Sequence, residues 1–237
     1  PAGSTALVLG TPQSLPAMGE TGPFGLEEPS AEGYLLHTTS ANGRLLVVAA
    51  PTPKGVQNGV YGLLEEWGFG FYLGEETVPE SVPALTEVVA QGMHVSKSPA
   101  FEIRGSLPWY NFFNSPTAWE LEDHQAFIDQ LAKMRCNFIG FHTYDTEPFA
   151  AYRFDGQLVG GEPLVNTSQP TWGTQPMATD DFLAGTGAFF DSEYFGAKSS
   201  RIAGRAEAIA AAKEVMRQSL QYAKDRGLKT CLGFELH

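Results

Sequence analysis

The sequence predicts an α/β protein in two parts. A small α+β domain, a sheet with a helix on one face, covers residues 1–97, and an incomplete (β/α)8 TIM barrel of about three βα units covers residues 98–237. Three observations predict this. Residues 34–49 read as a β-hairpin that runs directly into an amphipathic helix. Beyond position 97, short apolar strands alternate with amphipathic helices, the pattern of parallel strands joined by right-handed crossovers. Roughly 140 residues lie beyond that point, against about 250 for a closed barrel.

The elements follow in order. TALVLG (Thr5–Gly10) is a short apolar run ahead of a Pro/Gly/Glu-rich loop and reads as a strand. Tyr34–Thr38 and Arg44–Ala49 are β-rich runs around Asn42-Gly43, a hairpin signal. Val56, Val60, Leu63, Leu64 and Trp67 recur at helical spacing, with Gly68 as the stop. FGFYLG and TEVVAQGMHV read as further strands, and SKSPA (Ser96–Ala100) as the boundary. FEIRGSL is then the first barrel strand. TAWELEDHQAFIDQLAKMRC is a helix with Leu121, Ile128, Leu131 and Met134 as its buried stripe, and NFIGFHTYD is the second strand. An irregular insert spans about 146–200. It carries Phe149, Tyr152, Phe154, Trp172, Phe182, Phe189, Phe190, Tyr194 and Phe195, enough aromatics for an ordered loop or its own small core. A long helix follows, with Ile202, Ala206, Ile209, Met216, Leu220 and Ala223 on one side and Gly227 as its stop. LKTCLGFELH is the third strand. Three strands cannot close a barrel, so the chain is expected to be the N-terminal part of a longer polypeptide that completes it. The alternative is an open three-stranded unit with an unpaired edge. With Pro1 at the start and no signal-peptide pattern, the N-terminus is expected to be processed or trimmed.

Composition narrows the function classes. A net charge of −12 and the lack of any basic run argue against nucleic acid or an anionic membrane surface as partner. No apolar run approaches the roughly 18 residues of a membrane span. Aromatic residues at 12%, with 26 glycines and 16 prolines, give a balance common among carbohydrate-active proteins. Cys136 and Cys231 stand outside any metal-binding spacing and are expected to be buried free thiols, a disulfide being the alternative for a secreted chain.

Strand alternation selects the candidate site. Ile139 and Phe141 share a face opposite Gly140, His142 and Tyr144. Leu232, Phe234 and Leu236 oppose Cys231, Gly233, Glu235 and His237. Ile103 and Leu107 oppose Arg104 and Ser106. With the apolar faces against the helices, Arg104, His142, Tyr144, Glu235 and His237 point into the barrel toward its C-terminal mouth, where such barrels place their chemistry. Pro108 ends the first strand, so Trp109, Tyr110 and Asn111 line the mouth, and Asp145 follows the second strand there. Bland readings stand beside this one. Arg104 and Glu235 fit a buried structural ion pair, and His142 a satisfied core histidine. His142, Asp145 and Glu147 match no closed metal spacing, so neither metal nor cofactor is expected. Asn166 opens an Asn-Thr-Ser glycosylation triplet that is as well explained by chance.

Several segments carry a family resemblance. EGYLLHTTSANGRLLVVAAPTPKGVQNGVYGLLEEWGFGFYLGEETVP resembles the small α/β domain that precedes the barrel in bacterial β-hexosaminidases (family-20 glycoside hydrolases) and xylan α-glucuronidases. FEIRGSLPWYNFF and AKMRCNFIGFHTYD resemble their first two barrel strands. The chain is expected to be periplasmic or extracellular, and the resemblance implies a carbohydrate substrate. It implies that Arg104 matches the first-strand arginine that binds the sugar. Glu235 and His237 loosely match an acidic residue and a histidine of the third strand. The catalytic Asp-Glu pair of hexosaminidases lies at the end of strand four, beyond His237. Trp109-Tyr110-Asn111 is closer to the His-Trp-Asp-Asn of the α-glucuronidases. The expectation is thus the N-terminal portion of a glycoside hydrolase that holds part of the sugar pocket, inactive by itself, with Glu235 as a weak catalytic candidate. Most glycosidases need two carboxyl groups, and Glu235 is the one carboxylate placed on a barrel strand. The alternatives are a non-catalytic carbohydrate-binding protein on the same scaffold, or another barrel enzyme such as a polysaccharide lyase or deacetylase.

Overall fold

The computed structural model describes residues 4–15, 29–39, 44–110, 116, 119–144, 148–159 and 205–235. The chain divides into two compact units. One is Pro1–Glu102 with Lys133–Arg135; the other is Ile103–Ala132 with Cys136–His237.

The first unit runs β1 (Thr5–Gly10), β2 (Tyr34–Thr39), β3 (Arg44–Ala49), α1 (Pro53–Glu66), β4 (Gly70–Phe71), β5 (Glu76–Thr77), α2 (Leu85–Gln91) and β6 (His94–Lys97). Its main sheet has the order β1-β3-β2-β6, with β1 parallel to β3 and β2 antiparallel to both β3 and β6. Alternation along β2 and β3 builds two cores. Tyr34, Leu36, Leu46 and Val48 pack with Leu63 of α1 and Val88 of α2. Leu35, Val47 and Ala49 pack with Leu15 on the opposite face. Thr52 starts α1 by accepting a hydrogen bond from the Gly55 amide at 3.1 Å, and Pro53 occupies the first turn, where its missing N–H costs nothing.

The hairpin and α1 agree with the sequence reading, but the stretch read as a strand from Thr86 to Val95 does not. Leu85–Gln91 is a helix, and only His94–Lys97 is strand. Leu85, Val88 and Val89 recur at i, i+3 and i+4 and all three pack on the first core. Glu87 reaches back to accept from the Ala84 amide at 3.3 Å. Local packing and the cap therefore override the β preference of the two valines. FGFYLG contributes only β4, which forms a separate two-stranded ribbon with β5.

The second unit runs β7 (Gly105–Ser106), α3 (Leu121–Lys133), β8 (Phe138–Tyr144), a 3-10 turn (Pro148–Ala150), β9 (Tyr152–Phe154), β10 (Gln157–Val159), α4 (Arg205–Asp225) and β11 (Lys229–Glu235). β11, β8 and β7 form a parallel three-stranded sheet in that order. Ile139, Phe141 and Thr143 of β8 are fully buried on one side, as are Ile128, Leu131 and Ala132 of α3. Met134, expected in the α3 stripe, is exposed, and Phe127 and His124 are buried in addition. Asp123 caps α3 by accepting from the Glu120 amide at 2.8 Å. Between α3 and α4, Asp129 accepts from Tyr222 at 2.9 Å and from Arg226 at 2.8 Å, and the Arg226 guanidinium lies 4.2 Å from the centre of the Tyr222 ring.

The insert is partly regular: β9 and β10 form a hairpin. Asp155 (φ 46°) and Gly156 (φ 75°) make its two-residue turn, which needs positive φ at both positions. Phe154 and Tyr152 are exposed on it. Trp172, Phe182, Phe189, Phe190, Tyr194 and Phe195 lie outside the described residues, as do Ile202 and Asn166. Ala206, expected on the buried side of the last helix, is exposed. Cys136 and Cys231 are free, so there is no disulfide between them. The expectation of two buried thiols is corrected: Cys136 is half-buried and Cys231 exposed.

Candidate functional site

The parallel register decides which side chains share a face. β11 pairs with β8 so that Cys231 lies beside Gly140, Gly233 beside His142 and Glu235 beside Tyr144. The grouping of these strand positions by alternation therefore holds in the pairing. Tyr144 and Glu235 are adjacent at the C-terminal ends of their strands.

β7 reads differently from the sequence. Ser106 pairs with Ile139, the buried side of β8. Leu107 instead lies over Gly140, close enough that a Cβ there would collide with its Cδ1 methyl, and it is exposed together with Ile103. At Ser106 and Leu107 the sides are exchanged relative to the alternation expected from the sequence. An apolar-inside rule placed Leu107 toward the helices. The register with Ile139 places Ser106 there instead, and the grouping of Ser106 with His142 is corrected. Arg104 precedes β7. Its amide donates to Asn137 Oδ1 at 2.9 Å, and its carbonyl accepts from the amides of Asn137 (2.8 Å) and Phe138 (3.1 Å). The Arg104 side chain is half-buried. Gly105 allows this close approach, because a Cβ there would run into the Phe138 carbonyl oxygen.

The chain rejoins the sheet at Trp109, which forms a parallel bridge with His142. His142 donates its amide to the Pro108 carbonyl at 3.1 Å and accepts the Tyr110 amide at 2.9 Å. Pro108 can accept but not donate, so it is tolerated at this edge. The bridge sets the Trp109 indole against the His142 ring, centroids 4.2 Å apart at 54°, with Trp109 46% exposed. Trp109 and His142 are thus brought together. Tyr110 is not part of that surface. It is 2% exposed and packs edge-on against Phe141 (5.9 Å) and Phe149 (5.1 Å), because the next residue along an extended chain points to the opposite side. Its expected place at the mouth is corrected. Asn111, Asp145 and His237 lie outside the described residues.

A histidine that sequence reading passed over backs this sheet. His124 of α3 is buried against Trp119 (5.2 Å) and Phe141 (5.8 Å), and burial pushes its pKa down to about 3. It is neutral at ordinary pH and serves packing; the run LEDHQAFIDQLA, with His124 three and four residues before Phe127 and Ile128, was the available signal.

Chemically, this face offers an aromatic plate and an imidazole, with Leu107 covering Gly140. The strand residues whose side chains are described on this face include no carboxylate. Among the described residues no group of three or more His, Cys, Asp or Glu side chains is placed to hold a metal.

The chain matches no family model and no curated protein. The solved structures to which it is similar include several β-N-acetylglucosaminidases and β-N-acetylhexosaminidases, those from Vibrio harveyi and Streptomyces coelicolor A3(2) being family-20 glycoside hydrolases. The exo-β-N-acetylglucosaminidase from Vibrio harveyi, solved with N-acetylglucosamine, has 13% identity and a TM-score of 0.43 over 86% of this chain and 26% of that one. The β-N-acetylhexosaminidase from Streptomyces coelicolor A3(2) has 14% identity and a TM-score of 0.43 over 98% and 34%. The β-N-acetylhexosaminidase from Bacteroides fragilis NCTC 9343 has 14% identity and a TM-score of 0.40 over 98% and 40%. The chain spans between about a quarter and two-fifths of those proteins' own lengths.

Proposed function

We propose that this chain is part of a carbohydrate-active enzyme, a glycoside hydrolase, and that its parallel β7-β8-β11 sheet forms one wall of the sugar-binding cleft. The observation that carries the reading is the Trp109–His142 pair. An indole held by the sheet backbone, half open to solvent, stands near the C-terminal ends of parallel strands, where α/β folds bind their ligands. An aromatic face stacks on the apolar side of a sugar ring, and an imidazole beside it can donate or accept a hydrogen bond to a hydroxyl. The resemblance of the surrounding segments to hexosaminidase and α-glucuronidase sequences supports the same class, and within it Arg104 is the proposed second sugar contact. The sheet is then the start of a (β/α)8 barrel that further polypeptide completes, and Glu235, beside Tyr144 in the register, is adjacent to the cleft.

The hexosaminidase resemblance assigns the catalytic Asp-Glu pair to a later strand, so residues 1–237 should bind sugar without hydrolysing it. The test is calorimetric titration of this chain with N-acetyl-chito-oligosaccharides, glucuronoxylo-oligosaccharides and malto-oligosaccharides. Binding of one of the first two is expected. Trp109→Ala should weaken it about tenfold, equivalent to about 1.4 kcal/mol of stacking. Absence of binding to every sugar, or unaltered binding by Trp109→Ala, overturns the proposal. Arg104→Ala separately tests the second contact. Turnover of a chromogenic N-acetylglucosaminide by this chain contradicts the expectation that it binds without cleaving.

A further inference from the structure

We propose that the first unit carries a two-histidine site for an exchangeable divalent transition-metal ion, formed by His37 of β2 and His94 of β6. The two residues are direct partners in the antiparallel register. The Thr38 amide donates to the Met93 carbonyl at 3.0 Å, so the pair occupies a non-hydrogen-bonded position of the ladder, where facing side chains come closest. Thr38 fixes this end of β6 further: its Oγ1 accepts from the Met93 amide at 2.8 Å. Alternation places His37 on the face of Leu35, away from α1 and α2, and His94 is exposed. The backbone thus presents two imidazoles side by side at the sheet edge.

The geometry fits a metal. The two Nδ1 atoms are 3.3 Å apart and the rings are perpendicular, with centroids 5.5 Å apart. Two nitrogens bound at about 2.0–2.1 Å with a tetrahedral angle between them lie about 3.3–3.4 Å apart. The observed separation equals that bite, and it is longer than the usual 2.9–3.0 Å or so of an N–H hydrogen bond. In the metal-free protein one ring donates to the other; a cation takes the place of the shared proton between the two lone pairs. Imidazole suits copper, nickel and zinc, and affinity should follow the order copper(II) above nickel(II) and zinc(II). With two protein ligands the remaining coordination positions stay open to water or to a donor group of another molecule. That makes the site exchangeable rather than a closed structural centre.

The test is titration of the 237-residue chain with ZnCl2, NiCl2 and CuCl2 in separate runs. Binding is read by calorimetry for all three and by imidazole 1H–15N shifts for zinc. One ion per chain is expected, with the His37 and His94 ring signals moving together. His37→Ala and His94→Ala should each lower affinity about tenfold or more, since losing even an outer partner of a metal ligand costs roughly 10–100-fold. His37→Gln, which keeps a polar side chain at the same position, should lose affinity equally, with the circular dichroism of the native fold. Saturation that leaves both ring signals unmoved, wild-type affinity in His37→Gln, or no binding of any of the three ions overturns the proposal.

Discussion

β2 and β3 of the first unit are buried on both faces, with Leu36, Leu46 and Val48 under the helices and Leu35, Val47 and Ala49 on the other side. β8 of the second unit buries Ile139, Phe141 and Thr143 on one face and carries His142 on the other, beside the exposed Trp109, with the exposed Cys231 on the same face next to Gly140. The first sheet is committed to packing at its centre and carries polar side chains, His37 and His94 among them, toward its β6 side. The second commits one face to packing and leaves the other more open, with Trp109 and Cys231 exposed. A side chain's role therefore follows from which face its register assigns it to, more than from its type. Tyr110 and Trp109 are neighbours in sequence, yet one is core and the other surface.

The comparison predicts a graded set of effects. The largest belongs to the packed face of β8. Phe141→Ala should cost about 3–5 kcal/mol, the range for removing a buried aromatic side chain, and should lower the melting transition of the second unit in calorimetry. Leu36→Ala, at about 2–5 kcal/mol, should act on the first unit. If Phe141→Ala were as mild as a surface change, the assignment of faces would fail.

Acid sensitivity should come next. The folded-state pKa of His124 is pushed by burial to about 3, below the ordinary 6.5. The unfolded chain takes up that proton first. Stability is full above about pH 6.5 and falls as the pH drops toward 3, by at most about 1.4 kcal/mol per pH unit. His124→Leu should flatten this part of the stability–pH curve measured by urea unfolding. An unchanged slope would mean that His124 is protonated in the fold.

Gly105→Ala should cost about 1–3 kcal/mol, because the new methyl must push the Phe138 carbonyl away. Its readout is the amide exchange of Phe138 and Asn137, which should speed up. Asp129→Asn, which weakens the Asp129–Tyr222–Arg226 cluster on partly exposed helix surfaces, should cost less than about 1 kcal/mol.

Much of this was legible in the sequence. Period-two runs gave β2, β3, β8 and β11 within a residue or so, and helical spacing with a glycine stop gave α1 and the last helix. Two things were not legible. The side on which β7 shows its residues depends on pairing with Ile139, a contact across more than thirty residues that alternation cannot see. Leu107 is also exposed, so hydrophobicity pointed to the wrong side. The helix Leu85–Gln91 was hidden by two adjacent valines, although Leu85, Val88 and Val89 already had helical spacing and Gly92 follows. The β9–β10 turn was legible and overlooked, since Asp155-Gly156 is a strong hairpin signal. Of the candidate site, the sequence placed Trp109 and His142 each at or toward the mouth, but not their ring contact. The burial of Tyr110 was not legible, because it depends on Phe149, which follows β8.

The central claim is that the Trp109–His142 face receives a sugar. A 1H–15N titration of the 237-residue chain with N-acetyl-chito-oligosaccharides, and then glucuronoxylo-oligosaccharides, tests it most directly. The account predicts that for one of these ligands the Trp109 indole N–H and the amides of Trp109, Tyr110 and His142 shift together and saturate, while the indole N–H of the buried Trp119 stays in place. Saturable shifts confined to other residues, or none with either ligand, would contradict it.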